Sequence, residues 1–231
     1  MDDALLKLLA TVDTPTVCNA IETALGRGGF AAFTRGTPFA TAPDAPPMVG
    51  YASTGKVAGR FPSPETPESV RERRLDYYRH MAAARNPAIA VVEDIDYPDC
   101  VGAFWGEINA TVHKGLGLSG AVTNGLVRDL GNLPDGFPVI AGSVGPSRAF
   151  VHVTGFGMPV EVFGLTVRQG DLIHADRHGA VVIPPEVVGG LQDAVRLVLE
   201  SEKVVLETAR RPDFNVEMFE AVWARFEETR S

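Results

Sequence analysis

The stretch from Gly106 to Asp129, GEINATVHKGLGLSGAVTNGLVRD, constrains the fold most strongly because it joins a helix, a glycine-rich turn and a strand. Glu107 to Lys114 is predicted to be helical, and Ala121 to Val127 is predicted to be a strand. The glycines between them match G-x-G-x-x-G, a spacing typical of dinucleotide-binding proteins, but that motif works only where a strand precedes the glycines and a helix follows. Here the order is reversed. The glycines are therefore predicted to end the helix and turn the chain into a sheet.

Three polar residues of this stretch are candidates for a binding site. Glu107 stands at the predicted helix start, and after twenty further residues come Arg128 and Asp129. The unpaired N–H groups of a helix start attract carboxylates or phosphates, and an arginine offers a planar fork for the same anions. An aspartate is a hard oxygen donor that suits Mg²⁺. The spacing alone also fits a simpler structure, with Glu107 as an acid of the first helical turn and Arg128-Asp129 as an exposed turn.

Two motifs resemble those of a known family. The first motif consists of Glu107, twenty further residues and Arg128-Asp129. It resembles the D/E-x20-R-D signature of class II pyruvate aldolases of the 4-hydroxy-4-methyl-2-oxoglutarate (HMG) type. These aldolases belong to the RraA-like family. GAVTNGLVRD is similar to the family core G-x-V-x-D-G-x-x-R-D, except that Asn124 stands in place of the usual Asp. GDLIHADRHGAVVIP, from Gly170 to Pro184, is similar to the second signature. The resemblance extends from the first helices to the C-terminal helix.

The resemblance implies a fold. It is an α/β fold, a layered α-β-β-α sandwich of the swivelling, phosphohistidine-like RraA type, with a β-rich second half and C-terminal helices. We expect a single domain over residues 1–231, with a helical extension over about residues 186–231. In that extension, the hydrophobic pattern predicts a long amphipathic helix from Glu186 to Arg210 and a final one from Val216 to Thr229.

The resemblance also implies a function, which is metal-dependent cleavage of a 4-hydroxy-2-keto acid to pyruvate. The carboxylate of the keto acid binds the helix start and Arg128, Asp129 holds Mg²⁺ or Mn²⁺, and Glu107 orients a metal-bound water. The expected substrate-binding residues are Gly106, Glu107, Ile108, Asn109 and Arg128. The metal and Arg128 stabilise pyruvate enolate. Decarboxylation of oxaloacetate gives the same enolate, so we expect that activity as well.

The family further implies an assembly and an alternative role. Its members form trimers, sometimes dimers of trimers, so a homotrimer or hexamer is expected. Glu200 or Glu202 of a neighbouring subunit would complete the site. The same scaffold also carries non-catalytic regulators that bind a protein partner such as a ribonuclease, and this remains the alternative function. Asn124 would weaken or retune activity if the family's Asp supports the arginine or the metal waters.

Composition limits the remaining function classes. With 29 acidic residues against 21 Lys and Arg, the formal net charge is −8, which argues against nucleic acid as a partner. An anion site on such an acidic surface must concentrate positive charge locally, which strengthens the interpretation of Arg128 as an anion-binding residue. Cys18 and Cys100 lack disulfide or metal spacing and are predicted to be reduced, and Cys100 is not expected to be a nucleophile. We expect a cytoplasmic protein without a membrane partner, because no signal peptide or apolar run of transmembrane length is present.

Three other groups have both a functional and a structural interpretation. Arg71, Arg73 and Arg74 lie on a helix predicted from Ser69 to Ala84 and either bind an anion or, more simply, are solvated. Four residues of that helix are the expected buried stripe: Val70, Leu75, Tyr78 and Met81. The end of the predicted buried strand Pro87–Ile95 is acidic, and Glu93, Asp94 and Asp96 there form either a second metal cluster or, more simply, a strand end near solvent. His178 either lines the pocket or is structural, and no histidine-rich zinc site is predicted.

Overall fold

The computed structural model describes residues 2–36 and 38–230. The helices within this range are α1 (Asp3–Leu9), α2 (Thr14–Leu25), α3 (Pro67–Ala82), α4 (Glu107–Gly115), α5 (Leu191–Ala209) and α6 (Val216–Arg230), with a 3-10 turn at Pro185–Val187. The strands are β1 (Phe39–Ala40), β2 (Met48–Ala58), β3 (Ala88–Asp94), β4 (Ala103–Trp105), β5 (Leu118–Thr123), β6 (Leu126–Val127), β7 (Val139–Ala141), β8 (Ser143–Val144), β9 (His152–Phe156), β10 (Val160–Val162), β11 (Leu165–Val167), β12 (Leu172–Asp176) and β13 (Gly179–Ile183).

The chain divides into two compact units. One contains the described residues up to Ala31 and from Ile183 onward, and is helical. The other is Ala32–Val182 and contains most of the strands together with α3 and α4. The expectation of a single domain with a helical extension from about residue 186 stays a prediction. No helix in the described ranges is long and apolar enough to span a membrane.

The second unit is built on a mixed sheet. Its strand order is β1-β7-β5-β3-β2-β12-β13, and β9 also pairs with the long strand β2. The central pairs β2–β3, β3–β5 and β5–β7 are parallel, and β12 and β9 join β2 antiparallel. A smaller parallel sheet has the order β4-β6-β8, and β10 and β11 form a hairpin. The expected α/β class is confirmed.

Both faces of β3 are buried, and its side chains point alternately into two apolar clusters. Ala88, Ala90 and Val92 point into a cluster that includes residues of α3 and α4. Ile89 and Val91 point into the other, which includes residues of the β10–β11 hairpin. Successive strand residues point to opposite faces, so a strand covered on both sides is apolar throughout. This explains the continuous apolar run that predicted a buried strand here.

The predicted strand Ala121–Val127 is wrong in one respect, because the structure divides it. β5 ends at Thr123 in the large sheet, and β6 begins at Leu126 in the small one. Between them, the Asn124 side chain bonds to the backbone of Asp94, and the N–H of Gly125 donates to the Thr123 hydroxyl at 3.0 Å. A Cβ at Gly125 would lie 2.9 Å from the Cβ of Asp94. The close approach of two chain segments therefore ends one strand and starts the other.

Two helices also differ from expectation. The predicted helix Glu186–Arg210 is replaced by the 3-10 turn and α5, which starts only after Gly189 and Gly190. Glycine is a poor helix former, which accounts for the interruption. On α3 the buried residues are Tyr77 and Met81, whereas Leu75 is exposed. By contrast, α4 ends one residue beyond its predicted end, and Gly117 turns the chain with a positive φ of 93°, as predicted for these glycines.

Candidate functional site

The start of α4 offers backbone donors. The first helical hydrogen bond runs from the Ala110 N–H to the Gly106 carbonyl, at 2.9 Å. The N–H of Glu107 donates to Asp129 Oδ2 at 3.2 Å. For the N–H groups of Ile108 and Asn109, the described residues supply no acceptor. Because helix starts also carry partial positive charge, these two groups suit an anion.

Pairing of β4 with β6 brings Arg128 and Asp129 to this helix start. The Arg128 N–H donates to the Trp105 carbonyl at 2.9 Å, which continues the ladder beyond β6. The two side chains lie against Gly106, where a Cβ would be 2.6 Å from Asp129 Oδ2 and 3.0 Å from Arg128 Cγ. Arg128 Nη1 is 3.6 Å from Asp129 Oδ1. Asp129 itself has a positive φ of 57°, a conformation in which aspartate is several-fold enriched among non-glycine residues.

A cavity of about 180 Å³ opens beside these groups. Its lining residues are Arg74, Tyr78, Ala103, Phe104, Gly106, Ile108, Asn109, Arg128, Arg148, Val151, His152 and Val153. Arg128 Nε is buried without a hydrogen-bond acceptor among the described residues. A buried donor without a partner is costly, and in a pocket wall it indicates a ligand that supplies the acceptor. The cavity thus combines apolar side chains with positive charge and unused hydrogen-bond donors.

A buried network fixes the cavity wall. The Tyr78 hydroxyl donates to Asn109 Oδ1 at 2.6 Å, and the Asn109 amide donates to the Phe104 carbonyl. His113 Nδ1 donates to the Asn109 carbonyl at 2.6 Å, because a carbonyl can only accept. His113 Nε2 therefore accepts from the Tyr77 hydroxyl, at 2.8 Å. Burial lowers the pKa of His113 to about 4 and raises that of Tyr77 well above its ordinary value, so both are neutral at pH 7.

The donor set near Asp129 fits a hydrated Mg²⁺ or Mn²⁺ but not a zinc site. No group of three or more His, Cys, Asp or Glu that could hold a metal exists among the residues that the structure describes. Mg²⁺ commonly uses one or two carboxylates and keeps several waters. The Asp129 side chain is 30% exposed, and among the residues that the structure describes its Oδ1 has only Arg128 as a polar neighbour, at 3.6 Å. Asp129 can therefore be the one carboxylate that such an ion needs.

Comparison with known proteins identifies the family. The model of the RraA-like family, described as Aldolase/RraA, matches residues 14–182, which include the helix start, Arg128 and the whole cavity. The chain belongs to the RraA-like family. The resemblance seen in the sequence motifs is thereby confirmed.

Relatives of this RraA-like protein differ in what their names imply. A protein of Halalkalibacterium halodurans with the provisional name 4-hydroxy-4-methyl-2-oxoglutarate aldolase is 34% identical over 90 residues, which are 37% of this chain. The match spans 42% of that protein's length. RraAS2 of Streptomyces coelicolor, described as an unusual member of the RNase ES inhibitor RraA protein family, is 22% identical. Its structure gives a TM-score of 0.66 over 91% of this chain and 98% of that one.

A further solved structure supports the fold. An uncharacterized protein from Pseudomonas syringae pv. tomato gives a TM-score of 0.70 at 18% identity, over 97% of this chain and 95% of that one. Identities this low carry the fold and not the activity. The RraA-like chain is thus similar in structure both to a protein described within a family of ribonuclease inhibitors and to one without an assigned role.

The structure brings together most of the residues that the motifs singled out. Gly106, Ile108, Asn109 and Arg128 line the cavity, whereas Glu107 and Asp129 lie beside it, joined by the 3.2 Å hydrogen bond. Asn124 bonds instead to the backbone of Asp94.

The remaining predicted candidates lie elsewhere. Glu202 accepts a hydrogen bond from Asn19 within the helical unit, at 3.2 Å, and Glu200 is exposed on α5. His178 bonds to Asp176 at 3.0 Å and is not among the cavity residues. The roles of Glu200 and Glu202 in a neighbouring subunit stay predictions.

One of the acids at the end of β3 differs from expectation in its burial. Asp94 is buried and not near solvent, and its Oδ1 accepts from the Asp96 N–H at 3.0 Å. Burial raises the pKa of Asp94, and this hydrogen bond opposes the rise. Burial, with Asp94 nearby, also raises the pKa of Cys100 to about 12, which removes it as a nucleophile at neutral pH. No metal cluster forms here among the described residues.

Sequence reasoning did not assign four polar residues of the cavity to this site: Arg74, Tyr78, Arg148 and His152. Of the arginines on α3, only Arg74 lines the cavity, while Arg73 pairs with Glu65 and Arg71 lies outside it. Arg74 and Tyr78 are four residues apart, so a shared helix face was a signal available in the sequence. For Arg148 and His152 the sequence offers no such signal, because both are remote from the 106–129 stretch and reach the cavity through the fold.

Proposed function

We propose that this chain is a divalent-metal-dependent lyase that cleaves a 4-hydroxy-2-keto acid to pyruvate and also decarboxylates oxaloacetate. The observation that carries the proposal is the set of unused donors in one cavity: Arg128 Nε and the N–H groups of Ile108 and Asn109. One carboxylate can accept hydrogen bonds from several donors of this kind at once. The family match and the provisional aldolase name of one relative support the reaction class.

The carboxylate of the substrate binds the α4 start, and Arg128 contacts both it and the neighbouring keto oxygen. This orientation presents the bond between C3 and C4 for cleavage. The C4 hydroxyl gives its proton to the water that Glu107 holds and becomes a carbonyl as the bond breaks. The electron pair of the bond moves toward C2, negative charge collects on the keto oxygen, and protonation of C3 then completes pyruvate. Arg128 stabilises that charge as a hydrogen-bond donor. Because Gly106 has no side chain, space remains beside it for the Arg128 side chain. Loss of carbon dioxide from oxaloacetate creates the same charge, so the same residues serve both reactions.

We assign Asp129 the role of holding Mg²⁺ or Mn²⁺. The ion supplies Lewis-acid polarisation of the keto oxygen when bound. Glu107, exposed in the first turn of α4, holds water close to the reacting atoms. The Asn109 side chain is tied to Tyr78 and Phe104, so the donors at the helix start keep their positions through the reaction.

The proposed assembly is a homotrimer or a dimer of trimers, with Glu200 or Glu202 of a neighbouring subunit completing the site. A non-catalytic regulator on this scaffold is the alternative. Such a protein has no need of unpaired donors inside a small cavity, which favours the enzyme.

A coupled assay of pyruvate release tests the proposal. Oxaloacetate and a 4-hydroxy-2-keto acid are incubated with the protein and Mg²⁺, and then with excess EDTA. We expect pyruvate from both substrates with Mg²⁺ and little above the uncatalysed rate with EDTA. A regulator would give no more pyruvate than a protein-free control that contains the same Mg²⁺ or EDTA.

Two substitutions locate the activity. Arg128→Ala and Asp129→Ala should each lower kcat/KM by about 10²-fold or more, since each removes a charge from the site of bond cleavage. Arg71→Ala, which removes a guanidinium of α3 outside the cavity, is the matched control and should retain the wild-type rate. Wild-type rates in both site variants would refute the assignment.

A further inference from the structure

His152 is a buried histidine in the wall of the cavity beside α4. It begins β9, is 9% exposed, and lines the cavity together with its neighbours Val151 and Val153. Its Nδ1 is 2.8 Å from the Phe150 carbonyl oxygen. Because a carbonyl can only accept, Nδ1 carries the proton of the neutral imidazole and Nε2 carries the lone pair. The ring is thus held in the tautomer that offers a proton acceptor at Nε2.

The Nε2 atom of His152 faces open space. The part of the chain that the structure describes gives it no hydrogen-bond partner, and it is not one of the fully buried side-chain atoms that lack a partner. Because so little of the residue is exposed, the space that this atom reaches belongs to the cavities that His152 lines. One is the cavity beside α4.

A second, more open cavity gives His152 contact with solvent. It has a volume of about 240 Å³, and its lining also includes Pro62 and Phe150, both of which are exposed. A histidine that borders both a binding cavity and the solvent can exchange its proton with water. The imidazole can therefore return to its starting state after each proton transfer.

Among the described lining residues of the cavity beside α4, His152 is the only side chain suited to both accept and release a proton near neutral pH. The lining contains three arginines, Arg74, Arg128 and Arg148, and arginine stays protonated in proteins. Burial raises the pKa of Tyr78, whose hydroxyl already donates a 2.6 Å hydrogen bond within the cavity wall. Histidine, in contrast, is the side chain used most often for general acid–base catalysis.

The proposed aldol cleavage needs such a group at its last step. The C4 hydroxyl releases a proton as the bond between C3 and C4 breaks, and C3 of the enolate must gain a proton to give pyruvate. Arg128 stabilises the enolate but keeps its own protons. The cavity volume of about 180 Å³ equals the share of roughly six water molecules in the liquid. A keto acid in so small a cavity lies close to every wall, including the one that carries His152.

We propose that His152 is the acid–base residue that carries this proton to C3. In aldol cleavage, the C4 hydroxyl proton passes through the water at Glu107 to Nε2 of neutral His152, which becomes an imidazolium. Nε2 then gives the proton to C3 of the enolate. One O–H bond is broken, one C–H bond is formed, and the imidazole is neutral again at the end. The inference rests on the proposed function and adds a catalytic residue to it.

Decarboxylation of oxaloacetate makes a smaller demand on His152. Carbon dioxide leaves without the release of a proton, so breaking that carbon–carbon bond needs no base. The enolate that remains can take its C3 proton from water. Replacement of His152 therefore separates two activities that both depend on Arg128.

Exchange of the methyl protons of pyruvate measures the proposed proton transfer alone. The wild-type protein, with Mg²⁺ in D₂O, should replace C3 hydrogen of pyruvate by deuterium through the reverse of the protonation step, and ¹H NMR follows the loss of the methyl signal. His152→Asn keeps an amide that can donate to the Phe150 carbonyl but has no titratable nitrogen, and His152→Gln is the second variant. We expect exchange to fall by about 10²-fold in both variants.

Oxaloacetate decarboxylation, measured on the same preparations, shows whether the variants remain folded and bind substrate. We expect its rate to fall by less than about threefold, because it needs no base. His178→Gln removes an imidazole that lies outside the cavity and is the matched control. That variant should change neither exchange nor decarboxylation.

The outcomes separate this inference from the proposed function. Loss of exchange with retained decarboxylation in both His152 variants establishes the proton-transfer role. If exchange persists in the variants, if both activities fall together, or if the wild-type protein decarboxylates without exchange, the role of His152 is refuted and the lyase remains. If the wild-type protein shows neither activity, the proposed function is refuted and the role of His152 with it.

Discussion

The polar groups at two strand ends of the sheet-containing unit differ in whether they are hydrogen-bonded within the protein. At the end of β3, the Asp94 N–H donates to Asn124 Oδ1 at 2.7 Å and the Asn124 amide donates back to the Asp94 carbonyl at 3.2 Å. Asp96 accepts from the N–H groups of Gly59 and Arg60, at 2.7 and 2.9 Å. After β6, by contrast, Arg128 Nε and the first amides of α4 keep unused hydrogen-bonding capacity.

The difference separates a structural polar cluster from a binding site. Both ends contain acidic residues after a strand, and the sequence suggests metal binding at each. Groups that satisfy one another internally hold two chain segments together and have no need of a ligand. Groups left unsatisfied in a cavity wall destabilise the free protein and are stabilised by a ligand. The comparison assigns a structural role to the end of β3 and supports a binding role for the end of β6.

The largest expected effect comes from closing the space between the helix start and Arg128. In Gly106→Ala, the added Cβ would lie 2.6 Å from Asp129 Oδ2 and 3.1 Å from Arg128 Nε, so both side chains must move. We expect kcat/KM for pyruvate release to fall by about 10²-fold, because displacement by about an ångström costs that much. Gly131→Ala is the control, because a Cβ there meets nothing within 4 Å. Equal rates in the two variants would mean that the Gly106 contact has no role in the site.

The next effect concerns pH. The pKa of His113 is lowered by burial to about 4, against an ordinary value of 6.5. Between about pH 4 and pH 6.5, the unfolded state therefore binds more protons than the folded state. The stability contribution is complete above pH 6.5 and decreases by up to about 3 kcal/mol as the pH falls to about 4.

Urea unfolding at pH 7.5, 6, 5 and 4 measures this dependence on His113. His113→Gln should flatten the curve of unfolding free energy in that window relative to the wild-type protein. An unaltered slope in the His113 variant would show that this imidazole does not stay neutral in the folded protein.

The smallest effect tests the satisfied strand end. Asn124→Asp removes the amide that donates to the Asp94 carbonyl, and a carboxylate cannot replace that donor. We expect a loss of about 1–3 kcal/mol in the free energy of unfolding. Pyruvate release should stay within about threefold of wild type at temperatures where the variant is folded. A large loss of activity with unchanged stability would show that Asn124 contributes to the binding site and not to the structural cluster.

Local patterns predicted the helix and the glycine turn, and the family motif singled out Arg128 and Asp129, which the structure places beside the start of α4. Helical and strand periodicity, together with glycine positions, are properties of short segments, so β3 and α4 could be predicted closely. The division between β5 and β6 could not, because it depends on Asn124 meeting Asp94 across thirty positions of the chain. Arg148 was missed for the same reason, since only the fold brings its turn against β4. Arg74 was visible in the sequence, but solvation is the usual state of a charged helix face.

The central claim is that the start of α4 and Arg128 bind the carboxylate of a keto acid. Titration of the ¹⁵N-labelled protein with pyruvate in the presence of Mg²⁺ tests it directly through the amide resonances of Ile108 and Asn109. We predict saturable shifts of both resonances in the wild type, and affinity at least about tenfold weaker in Arg128→Ala, since charge-assisted hydrogen bonds are lost. Unshifted amides at saturating pyruvate, or equal affinity in the variant, would contradict the account.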